Sequence, residues 1–367
     1  MRMRLLYFNP ENDLALAAND PHYTPPASAL QMAADLERLP LQYAEAGDVV
    51  LLRDGSFIGT PGVPTSQFDP TAVQALFPWG WSPLVVRELR EAGVSDDFLP
   101  TREQLADYRA FASRQTAVRL LTRLRDSWPE AWHEACLVGE SSWCTTADAV
   151  AAVQSVYGRV MLKAPWSGSG RGVHPTAQLL TEKDWAWIRR TLKRQGGVEV
   201  EPIYNKVQDF AMEFWAEHGK VRYEGLSLFS TTDGGVYSGN LVASETEKER
   251  RLARYVSSER LRTLRDRLLV LLNDAGLPAW YTGPFGIDMM ICQAPFPESS
   301  SLTREGLWEE PRPGGVAIHP LVELNLRMTM GWLSIQLSRQ RPEGECSTFR
   351  ILQQEGRYRY ELRVLTD

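Results

Sequence analysis

Residues 321–328 read Leu-Val-Glu-Leu-Asn-Leu-Arg-Met, an unbroken alternation of apolar and polar side chains. Successive side chains of a strand point to opposite faces, so the segment predicts a strand with an apolar face on a core. Val322, Leu324, Leu326 and Met328 share that face. Glu323, Asn325 and Arg327 share the other, spread over about 14 Å at about 3.4 Å per residue. A merely wet face usually carries Lys, Thr or Ser. Two oxygen donors and a guanidinium in one row are more specific, and they ask for a sheet whose polar face lines a site.

A second strand pattern, Gly283-Pro284-Phe285-Gly286-Ile287-Asp288-Met289-Met290, puts Asp288 on the face opposite Ile287 and Met289. A carboxylate in an apolar strand is costly unless it is paired or metal-bound. If the two strands are neighbours, Asp288, Glu323 and Asn325 converge. Hard oxygen donors of this kind suit Mg²⁺, which binds through one or two carboxylates together with nucleotide phosphates. The plain alternative is an Asp288 bonded to a backbone amide.

The third feature is the strand Val160-Met161-Leu162 running directly into Lys163 and a loop with Ser167, Gly168, Ser169, Gly170 and Gly172. Glycines let the backbone approach a ligand closely and turn N–H groups toward an anion. The loop lacks the Gly-Lys-Ser/Thr ending of a Walker A motif and the spacing of a Rossmann fingerprint. A hairpin tip would look similar, but Lys163 ends the feeding strand and can carry its charge to the same phosphates.

Composition narrows the classes. A chain of 367 residues with 43% hydrophobic and 23% charged residues is globular, and its length suggests two to three domains. The formal charge of −6 argues against a general nucleic-acid binder while leaving room for a local basic pocket. Cys136, Cys144, Cys292 and Cys346 show no zinc or disulfide spacing and are expected as reduced thiols. No apolar run is long enough for a secretory signal or a membrane span, so a cytoplasmic protein without a membrane partner is expected.

Along the chain, residues 1–100 alternate short strands (5–8, 49–52) with helical patterns (27–39, 71–76, 83–92), which predicts an open parallel sheet. A long helix is expected over 101–125, with helices over 147–156 and 181–194. Strands are expected over 198–200, 210–215 and 221–229, the last two joined by a turn at His218-Gly219-Lys220. A charged helix over 245–273, strands over 285–291 and 320–328, a solvated Pro/Ser-rich loop at 294–314 and a terminal hairpin turning at Glu355-Gly356 complete the pattern.

Taken in order, Lys163-x-Pro165-x-Ser167-Gly168-x-Gly170-x-Gly172-Val173, then Val198-Glu199-Val200-Glu201-Pro202-Ile203, Gly286-Ile287-Asp288 and Glu323-x-Asn325-x-Arg327 resemble the ATP-grasp superfamily over residues 101–335. The resemblance implies an α+β / α/β chain, an ATP-grasp fold behind an N-terminal open α/β domain. The domains would be 1–100, 101–203 with the glycine-rich lid, and 204–367 with the metal site and terminal hairpin. It also implies ATP with Mg²⁺, or Mn²⁺ in its place. Lys163 would lie on the phosphates, Ser167, Gly168, Ser169, Gly170 and Gly172 in the lid, and Glu201, Pro202 and Ile203 at an adenine-reading hinge. Asp209 would meet the ribose, Asp288, Glu323 and Asn325 would hold the metal, and Arg327 would face the transferred phosphoryl group. Where many members have a further lysine, this chain has Ser113-Arg114-Gln115, so Arg114 is the expected substitute.

The implied activity is an ADP-forming ligase that activates a carboxylate as an acyl-phosphate and joins it to an amine or thiol. Two alternatives are a small-molecule kinase on the same fold and a non-catalytic ATP-binding regulatory protein. Expected partners are small-molecule or peptide carboxylates and amines, with no nucleic acid; a homodimer is allowed. Asn9 to Asp13 is either a substrate loop or a helix cap. His22, Tyr23, Tyr237, Asn240 and His319 are secondary candidates for lining a site, and Trp79 and Trp81 are expected in interdomain packing.

Overall fold

Short apolar runs build the first sheet. In the computed structural model, which describes residues 3–60, 68–128, 136–168, 172–232, 237–293, 315–342 and 344–365, Arg4–Tyr7 forms β1. It is followed by α1 (Asn12–Ala18), α2 (Ala27–Asp35), β2 (Val49–Leu51), β3 (Phe57–Gly59), β4 (Ala75–Pro78) and α3 (Pro83–Glu91). The strand order is β3-β2-β1-β4. β1 runs parallel to both β2 and β4, and only β3 is antiparallel. Of the helix expected over 71–76, only a single 3-10 turn forms, at Pro70–Ala72. Residues 75–78 instead pair with Arg4–Tyr7, because a short apolar run fits a helix or a buried strand equally and the open edge of β1 decided.

The long helix expected over 101–125 is two helices, α4 (Arg102–Phe111) and α5 (Arg114–Asp126). Thr101 and Gln104 close a capping box on α4, and Ser113 breaks the run by taking an extended backbone and capping α5 through Gln115 N. That break matters for the site: it puts Arg114 at a helix start, with its backbone N–H donating to Pro165 O at 3.1 Å.

Next come β5 (Ser142–Cys144), α6 (Ala147–Tyr157), β6 (Val160–Lys163), β7 (Val173–Pro175), α7 (Glu182–Gln195) and β8 (Val198–Pro202). Their strands form an antiparallel sheet in the order β5-β8-β6-β7. Val160, Leu162, Ile188, Val198 and Val200 make its core.

The third sheet has seven strands in the order β13-β12-β9-β10-β11-β14-β15. β9 (Lys206–Glu217) and β10 (Lys220–Thr231) form the expected hairpin, with φ of +50° at His218 and +74° at Gly219, as a tight hairpin turn requires. β11 (Tyr237–Val242) leads to α8 (Glu245–Leu252) and α9 (Ser258–Asp274), so the charged helix expected over 245–273 is also divided, at the Ser257 cap. β12 (Gly283–Gln293) and β13 (Val316–Asn325) pair antiparallel, and α10 (Met330–Arg339) follows. β14 (Ser347–Gln354) and β15 (Arg357–Val364) are the expected terminal hairpin. The loop expected at 294–314 lies outside the described residues. β13 is at the sheet's edge, where Pro320 costs no interior ladder bond.

Phe210, Met212 and Phe214 of β9 and Phe285, Ile287 and Met289 of β12 pack beneath Leu120 and Leu124 of α5 and Leu264 and Leu268 of α9. Trp215, Trp332 and Leu333 form another core with Phe8 and Trp79 of the first sheet region, and Met328 N donates to Trp79 O at 2.8 Å. Trp79 is therefore a packing residue between sheets. Among the described residues no helix is long and apolar enough to cross a membrane.

Gly331 gives a direct test of this packing. A Cβ there would stand 2.0 Å from Glu213 Oε1 and 2.6 Å from Ser227 Oγ. Gly331→Ala is expected to destabilise the chain by about 1–3 kcal/mol, read as a lower urea midpoint; an unchanged midpoint would contradict the packing described.

Candidate functional site

The register of β12 and β13 assembles the acidic residues. Asp288 lies directly opposite Glu323, and Gly286 opposite Asn325, so the polar rows seen in the two strand patterns do meet. Asn325 Nδ2 donates to Asp288 Oδ2 at 3.0 Å. Burial, reinforced by the negative charge of Glu323, pushes the Asp288 carboxyl up to about 7.

Arg327 departs from the expected strand. β13 ends at Asn325, and the chain turns with Arg327 N bonded to Asn325 O at 2.8 Å. Its guanidinium meets Asp13 of α1, with Nε at 3.0 Å from Oδ1 and Nη2 at 2.8 Å from Oδ2, while Nη2 also donates to Asn325 Oδ1 at 2.9 Å. Burial opposes this charge, but Asp13 together with Glu323 and Asp288 outweighs it and raises the pKa. Asp13 thus ties the N-terminal region to the acidic row.

The cationic side comes from the second sheet and α5. Lys163, at the end of β6, is 4% exposed and holds Glu201 Oε1 at 2.7 Å, with Glu199 Oε1 at 3.9 Å. Its Nζ reaches Val322 O of β13 at 3.4 Å. Arg114 Nη2 donates to Glu323 Oε1 at 2.6 Å and to Ser167 Oγ at 3.4 Å, and Nη1 stands 3.8 Å from Glu199 Oε2. Burial works against the Arg114 charge, yet Glu323 and Glu199 raise its pKa overall. For Glu201, burial outweighs Lys163 and lifts the carboxyl to about 7.

The glycine loop leaves β6 and returns in β7, with Lys163 opposite Val173 and Ala164 N bonded to Gly172 O at 2.8 Å. Gly172 has φ +79°, and a Cβ there would lie 2.7 Å from Ser167 Cβ; one at Gly168 would lie 2.8 Å from Asp13 Oδ2. Both glycines are thus required by close approach. Ser169 and Gly170 lie outside the described residues. Pro202 pairs with Val160 and ends β8, and Ile203 opens the short link to β9. Asp209 near the start of β9 accepts from Lys206 Nζ and Thr231 Oγ1, each at 2.7 Å, and adds to the negative field on Asp288.

The secondary candidates scatter. His22 contacts Arg87 at 3.1 Å on the wall of a separate cavity. Asn240 donates to Ser227 Oγ at 2.7 Å inside the third sheet. His319 is fully buried and held neutral, its pKa pulled down to about 3 by burial, with Glu201 Oε2 at 3.7 Å. The Asn9 to Asp13 segment divides in role: Asn9 bonds Gly80 O at 2.8 Å, Glu11 pairs with Arg53 at 2.8 Å, and Asp13 alone reaches the acidic row.

Two acids escaped the sequence reading. Glu199 was visible in Val198-Glu199-Val200-Glu201, where period two puts it beside Glu201. Glu213, a single acid inside Phe210–Trp215, sits opposite Gly286 on β12 and is 1% exposed with Oε2 unpartnered among the described residues. Burial, against a hydrogen bond to Thr329, raises it to about 8. A carboxyl raised above its unfolded value contributes stability fully present at low pH, lost as pH climbs from about 4.5 to about 8. Glu213→Gln is therefore expected to shrink the loss of unfolding free energy between pH 6 and pH 9 by about 1–3 kcal/mol; an identical loss in both chains would refute the burial argument.

Among the described residues no three His, Cys, Asp or Glu side chains could hold a metal by themselves. Asp288 and Glu323, opposite each other and mutually repelling, with the Asn325 amide adjoining, fit instead a hard divalent cation that completes its shell with water and phosphate oxygens.

No protein-family model matches the chain, and no curated protein sequence matches it. Solved structures are similar in shape. N5-carboxyaminoimidazole synthetase from Staphylococcus aureus, complexed with ADP, has a TM-score of 0.46 and 10% identity over 96% of this chain and 82% of that one. The biotin carboxylase domain of the Hydrogenobacter thermophilus 2-oxoglutarate carboxylase gives 0.48 and 11% over 95% and 74%. D-alanyl-alanine synthetase A from Vibrio cholerae gives 0.41 and 14% over 94% and 95%. With each score below 0.5, these likenesses carry no inference about chemistry.

Proposed function

We propose that the chain is an ATP-grasp-type, ADP-forming ligase that joins a carboxylate to an amine or thiol. One observation carries the reading: Arg114, Lys163, Asp288, Glu323, Asn325 and Arg327, drawn from separate elements of the chain, form one chain of ion pairs, hydrogen bonds and register contacts beside the glycine loop. Such a density of paired charge is expensive to bury for stability alone. It suits a phosphoryl-transfer site, where positioning and electrostatics do most of the work.

In this reading residues 1–100, 101–203 and 204–367 act as three domains. Lys163 and the backbone of the 168–172 loop hold the triphosphate, residues 201–203 the base and Asp209 the ribose. Asp288, Glu323 and Asn325 hold Mg²⁺, which would neutralise phosphate oxygens. Arg327, oriented by Asp13, stabilises charge on the moving phosphoryl group. A substrate carboxylate oxygen bonds to the γ-phosphorus as the bond to ADP breaks. The amine or thiol then bonds to the acyl carbon, loses its proton, and phosphate departs.

The test supplies ATP, Mg²⁺ and pools of amino acids or small acids, measures released phosphate, and identifies condensed products by mass. Acceptor-dependent phosphate with a condensed product is expected. ADP with a phosphorylated acceptor and no condensed product would replace the ligase reading with a kinase, and no turnover in any pool would overturn both.

A further inference from the structure

A cavity of about 1080 Å³ opens beside the cluster, walled by residues of the first sheet region, by α4 and α5, and by Trp143 and Trp166. Its lining holds Arg87, Arg90, Arg102, Arg109 and Arg119, and among the described residues no aspartate or glutamate. In a chain of formal charge −6, five guanidinium groups on one concave surface repel one another and concentrate a field that draws anions.

Two of them are partly neutralised. Arg90 bonds Asp96 at 2.7 Å, and Arg87 lies 3.4 Å from Glu91. Among the described residues the Arg109 guanidinium donates to Leu16 O, at 2.7 Å, and that of Arg119 to Thr116 Oγ1, at 3.0 Å. Among the described residues no carboxylate pairs with either of these or with Arg102. The Arg109 guanidinium lies 3.5 Å from the Trp166 ring centroid, and Trp166 Nε1 donates to Arg109 O at 2.9 Å. That stacking fixes the guanidinium plane. Trp166 also borders a small cleft with Asp13, Glu323 and Asn325, so it lines both this cavity and the edge of the candidate site.

We propose that the cavity is a binding site for a small molecule carrying at least two phosphate or carboxylate groups, gripped by Arg102, Arg109 and Arg119. Guanidinium forks match either oxyanion bidentately, and Val86 and Leu105 between the arginines accept an organic body. The site stands independently of the ligase reading, because none of the residues assigned to the triphosphate or metal grips this ligand.

The experiment titrates the full chain calorimetrically, in saturating MgADP so that the proposed nucleotide site is filled, with tripolyphosphate and, separately, citrate, at low and high salt. Arg102→Glu/Arg119→Glu changes two exposed helix residues, and Arg359→Glu on β15 serves as the charge control. At least one probe is expected to bind, weaker in added salt and about tenfold weaker or more in the double variant, with the control unchanged. The probe that binds tells phosphate from carboxylate. Binding of neither probe, equal binding by the double variant, or an equal loss in the control overturns the proposal. ATP turnover, read separately, is not at stake in any of these outcomes.

Discussion

Glu323→Gln is expected to lower acceptor-dependent phosphate release by about a hundredfold or more while leaving the chain folded. The substitution keeps the shape of a side chain that is 26% exposed and removes only its charge. That charge does two things in the structure: it faces Asp288 across the β12–β13 pair and it receives Arg114 at 2.6 Å. Removing one preorganised oxyanion-hole donor typically costs about 10²–10³ in rate, and a charge aimed at the metal and phosphates is expected to matter at least as much. With Glu323 neutral, the Asp288 carboxyl of the metal-free chain should also titrate lower, since Glu323 helps hold it near 7. Phosphate-release rates check the first part, and a pH titration of the metal-free chain checks the second. Turnover within a few-fold of the native chain would remove the acidic row from the mechanism.

Lys163→Met is expected to act on stability and activity together. Lys163 and Glu201 are each about 5% exposed on the side chain, and Glu201 Oε2 has no partner among the described residues. Taking away the cation leaves Glu201 and Glu199 with Arg114 as their nearby counter-charge, because His319 beside them stays neutral. Breaking such a buried pair costs about 3–5 kcal/mol. The double variant Lys163→Met/Glu201→Gln removes both charges, so most of that stability should return. Activity should not, because the triphosphate has still lost its cation. Urea unfolding and phosphate release on the two variants separate these effects. A double variant that regains turnover would mean that Lys163 serves folding only.

The acidic row shows how far local pattern carries. Period-two alternation in 321–328 and 283–290 defined which residues share a face, and the register then placed Asp288 against Glu323. The same logic failed one step later, at Arg327, because alternation cannot report where a strand ends; the chain turns after Asn325 and Asp13 takes the guanidinium. Helix periodicity likewise ran through Ser113 and Ser257, each of which accepts a backbone N–H on its hydroxyl and begins a new helix. The helix pattern over 71–76 gives way to a strand at 75–78 because a short apolar run does not distinguish a helix turn from a buried strand.

By itself the sequence determined the alternating strands, the glycine loop after Lys163, the turns at His218-Gly219 and Glu355-Gly356, and the set of oxygen donors. All of these depend on neighbours within a few residues. Only the tertiary structure decided that Asp13 holds Arg327, that Glu213 is buried opposite Gly286, and that arginines of α3, α4 and α5 face one cavity. Those contacts join residues tens to hundreds of positions apart, and their energies depend on burial and distance, which no local pattern carries.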